Sequence, residues 1–97
     1  MNVAERIVVR FYSILRLRLK TERVELAVAE TTIKELLHLV EQKTGQKFLA
    51  ELLDDAGEML MGTIILVNGK NIRLLKKMAT KARGGDTVDL ISPVGGG

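Results

Sequence analysis

With 97 residues, 46% of them apolar and 28% charged, the chain has enough apolar side chains for one hydrophobic core and too many for disorder. It has no cysteine, which excludes disulfides, thiolate metal sites, iron–sulfur clusters and a cysteine nucleophile. A formal net charge of +3 is too small to argue for nucleic acid as a partner.

The opening MNVAERIVVRFYSILRLRLK alternates charged with apolar residues. A secretory signal is therefore not expected, and no apolar run reaches the length of a membrane span. Together with the missing cysteines, this makes a cytoplasmic location the expectation. Within that stretch Ile7, Val9 and Phe11 share one face of a strand, and Val8, Arg10 and Tyr12 the other. The alternation continues through Leu15, Leu17 and Leu19 and extends the first strand to Leu19. A turn at KTER and a return strand through Val24, Leu26 and Val28 complete a hairpin.

TTIKELLHLVEQKTG is the clearest helix, expected from about Thr32 to Thr44. Ile33, Leu36, Leu37 and Val40 form one stripe. Thr32 with Glu35 has capping-box spacing, and Gly45 suits a left-handed stop. QKFLAELLDD reads as a short helix burying Phe48, Leu49, Leu52 and Leu53, and DDAGE as a turn. Ile64 to Val67, then Asn68-Gly69 and Lys70 to Arg73, form a hairpin signal. In LLKKMATKARGGD, Leu75, Met78, Ala79 and Ala82 share a helical face, with Lys76, Lys77, Lys81 and Arg83 away from it. Gly84-Gly85-Asp86 turns the chain into a last strand, TVDLI, whose Val88 and Leu90 face one way; Pro93 stops it. The order predicts an α+β fold: a mixed sheet of four or five strands with one main helix packed across it. Residues 1–92 would form the domain and 93–97 a flexible tail.

Side-chain chemistry is sparse. His38 has no serine or cysteine partner, Asp54 and Asp55 fall in a turn, and no phosphate-cradling loop is present. No metal site and no bound cofactor are expected. Met59 and Met61 read as core fillers. The basic set at Lys76, Lys77, Lys81 and Arg83 is either a solvated face or a dock for an acidic partner. A sheet covered by a helix on one side leaves its other face bare. Val8, Tyr12 and Ile14 therefore mark a candidate protein-binding patch.

Four stretches carry a resemblance to a known family: VRFYSILR near the start, TTIKELLHLV, ILVNGK, and the closing GGDTVDLISPVGGG. In this order they are similar to the ubiquitin-like sulfur-carrier family of MoaD/ThiS type, closest to the small subunit of molybdopterin synthase. Departures occur at Gly84, Ser92 and Gly95, where the family commonly has an acidic residue, a first proline and a small residue such as alanine.

The resemblance implies a β-grasp fold with the first strand ending near Ser13 and residues 14–19 in a turn, against the alternation count. It also implies that the Gly97 carboxylate is adenylated with ATP by an activating enzyme and converted to a thiocarboxylate. Gly95 and Gly96 would thread a narrow channel, and Val94 would join Val8 and Tyr12 at the partner interface. The implied partners are a ubiquitin-activating-like adenylating enzyme and the molybdopterin synthase large subunit, with no membrane and no nucleic acid. A protein modifier joined through Gly97, or a carrier for tRNA thiolation or thiamin, shares the same diglycine end.

Overall fold

The computed structural model describes residues 5–93. Strand β1 (Ile7–Phe11) buries Ile7, Val9 and Phe11 and leaves Val8 half-buried and Arg10 exposed. It ends at Phe11 and not at Leu19. A helix, α1 (Ser13–Leu19), follows where the alternation predicted more strand and the resemblance implied a turn. Leu15 and Leu19, one helical turn apart, are buried, while Leu17 is 75% exposed. Lys20, in the left-handed conformation, stops the helix. Strand β2 (Arg23–Leu26) then returns antiparallel to β1, as the hairpin predicted.

A short strand, β3 (Glu30–Thr32), leads into helix α2 (Ile33–Thr44). The hydroxyl half of the expected capping box is present: the Thr32 hydroxyl accepts from the Glu35 amide, and Gly45 closes the other end with φ 70°. Ile33, Leu36, Leu37 and Val40 are fully buried against the sheet, so each contributes roughly 1.5–3 kcal/mol of burial. Residues 49–51 form a 3-10 turn that seats Phe48 and Leu52 in the core. The Glu41 carboxylate accepts from the amides of Phe48 and Leu49 and fixes its start. The rings of Phe48 and Phe11 meet edge to face at 6.0 Å.

Strands β4 (Ile64–Val67) and β5 (Lys70–Asn71) form the predicted hairpin, with positive φ at both Asn68 and Gly69. The helical face expected around Leu75 is not formed. Two 3-10 turns, Ile72–Leu74 and Lys77–Ala79, are followed by strand β6 (Lys81–Arg83), which pairs with β3. Ala82 is buried there as a strand residue, and Leu75 is exposed. Met61 is also exposed, at 95%, so only Met59 of the two methionines packs against the core.

Strand β7 (Thr87–Ile91) enters the sheet after the Gly84–Asp86 turn. A Cβ on Gly84 would lie 2.7 Å from the Glu5 carbonyl oxygen, so this turn presses against the start of the chain and leaves no room for the family's acidic side chain. The five-stranded sheet runs β2-β1-β7-β4-β5, with β1 and β7 parallel and the other pairs antiparallel. The last strand therefore lies at its centre.

Helix and strand make opposite predictions for 13–19. If Leu15 faces the core and Leu17 solvent, Leu15→Ala should cost about 2–5 kcal/mol in chemical denaturation and Leu17→Ala about 0.5 kcal/mol or less. Equal losses would indicate a strand.

Candidate functional site

With α2 packed on one face, the alternation of the central strands decides what the other face presents. Val88 and Leu90 of β7 point to the core, so Thr87, Asp89 and Ile91 point away from it. The register places Arg10 of β1 beside Asp89 on one side and Leu66 of β4 on the other, and Ile64 beside Ile91. Val8 lies beside Thr87. The open face thus sets Val8, Ile64, Leu66 and Ile91 around the Arg10–Asp89 pair, with a second ion pair, Arg23 with Glu25, on β2 beside Arg10 and Val8.

The Arg10–Asp89 pair is well defined. Arg10 donates to Asp89 twice, from Nε to Oδ1 at 2.6 Å and from Nη2 to Oδ2 at 3.1 Å. The Tyr12 hydroxyl donates to the same Oδ1 at 3.2 Å, and the Arg10 guanidinium sits 5.8 Å from the Tyr12 ring centroid. These partners allow Asp89 to be only 6% exposed on a face without a helix over it. Hydrogen bonding to Asp89, and then its charge, raise the pKa of Arg10 above its ordinary value. The guanidinium remains half-exposed, held in one orientation with donors left over.

The face leads to the root of the tail. Ile91 is followed by buried Ser92 and then Pro93, which packs against Gly62; a Cβ on Gly62 would lie 3.3 Å from that of Pro93. Arg73 donates to the carbonyls of Leu60 and Thr63, bracing the loop that meets Pro93.

Of the residues picked out from sequence, Val8 and Tyr12 lie on this face. Ile14 does not continue the strand; it is in the first turn of α1, 43% exposed. Val94, Gly95, Gly96 and Gly97 lie outside the described residues. His38 is exposed on α2, and Asp54 is a turn residue, its Oδ1 accepting from the amides of Ala56 and Glu58. Among the described residues, no group of three or more histidines, aspartates or glutamates could hold a metal ion, and no helix is long and apolar enough to cross a membrane. Sequence reasoning missed Arg10, Asp89, Ile64, Leu66 and Ile91. The alternation of Val88 with Leu90 already turned Asp89 and Ile91 outward, but nothing local announced their neighbours.

A five-stranded sheet with a central last strand and one crossing helix is the ubiquitin-like β-grasp arrangement, and the model of the ThiS family matches residues 9–97. The chain belongs to the ThiS family. ThiS-family proteins are ubiquitin-like sulfur carriers. A relative in Archaeoglobus fulgidus, which bears the provisional name sulfur carrier protein, is 36% identical over 73 residues, covering 75% of this chain and 82% of that protein. The solution structure of Urm1 from Trypanosoma brucei superposes with a TM-score of 0.78 at 27% identity, covering all of both chains. A protein of Pyrococcus furiosus, provisionally named molybdopterin converting factor subunit 1, has a TM-score of 0.61 at 18% identity over 93% of this chain and 99% of its own. This last likeness is one of fold alone.

If the ion pair organises the open face of this ThiS-family protein, Arg10 and Asp89 should be coupled. A double-mutant cycle of Arg10→Ala and Asp89→Ala should show non-additive losses in denaturant unfolding, with a coupling that shrinks as salt is raised. Additive losses would mean that the contact does not hold the arginine.

Proposed function

We propose that the chain is a sulfur carrier whose working group is the Gly97 carboxylate, and that it supplies sulfur to molybdopterin synthesis as the small subunit of the synthase. A carboxylate is a poor acyl donor because its oxygen leaves badly. In the proposed cycle a cognate activating enzyme binds ATP, the Gly97 carboxylate attacks the α-phosphorus, and pyrophosphate departs. A sulfide-level sulfur nucleophile then attacks the acyl carbon and AMP leaves, so that Gly97 ends in a thiocarboxylate. This sulfur is nucleophilic and remains attached to the protein. Gly95 and Gly96 suit a narrow channel because they have no Cβ to widen it.

The observation that carries this reading is the position of β7. The strand that leads to the tail is the centre of the sheet, hydrogen-bonded on both edges, so its end is held rigidly where an enzyme must find it. Family membership and the Archaeoglobus relative support the carrier reading. The opening VRFYSILR supports the molybdopterin branch. A second reading is favoured by the full-length likeness to Trypanosoma Urm1: a modifier whose activated Gly97 is captured by a lysine amine of another protein. Both use the same carboxylate and differ in the nucleophile that displaces AMP.

In this account the open face around Arg10 is where the activating enzyme and the synthase large subunit dock, with Val8, Tyr12 and Val94 contributing. Replacing Ile64, 38% exposed on that face, by glutamate should leave the circular dichroism spectrum unchanged and weaken either complex about tenfold or more, because a charge would enter a desolvated patch. Unchanged affinity for both partners would remove the face from the account.

The tail is tested separately. One residue added after Gly97 moves the reactive carboxylate by about 3.5 Å, and deletion of Gly97 withdraws it as far. Misplacement on that scale should cut sulfur loading roughly a hundredfold, with the melting temperature unchanged. Wild-type loading by either variant, without trimming back to Gly97, would refute the carrier reading.

A further inference from the structure

The two 3-10 turns between β5 and β6 present features that neither the core nor the tail explains. Leu74 is 85% exposed and Leu75 45%, side by side; among the other described leucines only Leu17 is comparably exposed. The segment is not slack chain. The Asn71 side chain accepts from the Arg73 amide, and the Leu75 amide bonds to the Ile72 carbonyl. The Thr80 hydroxyl accepts from the Lys76 amide, while the Thr80 carbonyl accepts from the Ile33 amide at the start of α2. Met78 packs against the core beneath. The exposed leucines are thus held in place, and a partner would incur little ordering cost on meeting them.

Charge surrounds them. Lys76, Lys77 and Lys81 are exposed on the same segment. Among the described residues every ion pair uses an arginine, so these three lysines have no carboxylate partner. Two hollows border the segment and share Lys76 and Ala79. One, of about 540 Å³, is lined by Leu75, Lys76, Ala79, Thr80 and Lys81. The other, of about 640 Å³, has Lys34, Lys76 and Lys77 on its walls, with Glu35 and Glu58. The turn Lys77–Ala79 packs against α2, on the side of the sheet away from Arg10 and Asp89.

We propose that Leu74–Lys81 is a docking surface for an acidic, leucine-bearing segment of a partner protein, separate from the open sheet face. Unpaired lysines call for carboxylates, and exposed Leu74, Leu75 and Ala79 call for an aliphatic side chain. A nucleic acid fits less well. The segment has no aromatic ring on which a base could stack. Because this surface and the Arg10 face are on opposite sides, an acidic segment can be held here while another protein holds the open face. The proposal does not depend on what Gly97 does.

The test is a titration of the isotope-labelled full chain, followed by amide resonances. The probe is a synthetic peptide alternating glutamate pairs with leucine. Parallel arms use its glutamine analogue, a single-stranded oligodeoxynucleotide, and vesicles containing anionic phospholipid. The glutamate peptide should move the resonances of residues 74–81 and leave those of residues 8–10 in place. Its affinity should fall about tenfold or more in Lys76→Glu/Lys77→Glu, whose spectrum reports that it is folded. Leu75→Ser should weaken it with the charge intact. No shift, shifts centred on the sheet face, equal binding of the glutamine analogue, no effect of Leu75→Ser, or tighter binding of the oligonucleotide or vesicles would each overturn the proposal.

Discussion

The parallel pairing of β1 with β7 is the contact on which the rest of the molecule depends. It joins the two ends of the described chain, and with β4 on the other side of β7 it encloses the final strand. Parallel partners cannot be joined by a tight turn, so everything between them becomes the crossover. Helix α2 fills one face of the sheet it closes, and the two turns beside it cover the edge of the core. The close approach of Gly84 to Glu5 belongs to the same constraint, since the β1–β7 register brings the turn before β7 against the start of the chain.

A central last strand has a mechanical consequence. A strand at the edge of a sheet can peel away; one bonded on both edges opens only with much of the fold. In the proposed cycle, a tail drawn into the activating enzyme's active site is best anchored on such a strand. The same position explains Asp89. A carboxylate in the middle of the central strand would be costly, and Arg10 across the parallel register, with Tyr12 above it, offsets that cost. The open face gains a fixed positive centre among aliphatic side chains.

The parts legible in the sequence were those decided locally. Thr32, Glu35, Gly45, Asn68 and Gly69 specify caps and a turn through their own bonding, and α2 and the β4–β5 hairpin are where they were expected. Leu15, Leu17 and Leu19 misled because three residues spaced by two satisfy a strand, while Leu15 and Leu19 alone satisfy a helix; only the packing reveals that Leu17 is outside. Ala82 fitted a helical stripe, but pairing of Lys81–Arg83 with β3 prevailed, a contact that no window around residue 82 contains. The site divides in the same way. Val8 and Tyr12 could be assigned to a face by alternation alone. The partnership of Arg10 with Asp89 spans 79 positions and exists only once β1 and β7 are in register.

The central claim, that a rigid sheet presents one terminal carboxylate for sulfur loading, is tested most directly by mass. Intact-mass and C-terminal peptide analysis after incubation with the cognate activating enzyme, ATP and a sulfur source should show one oxygen replaced by sulfur, located at Gly97. An unmodified chain under conditions in which the enzyme loads another of its carriers, or sulfur found on any other residue, would contradict it.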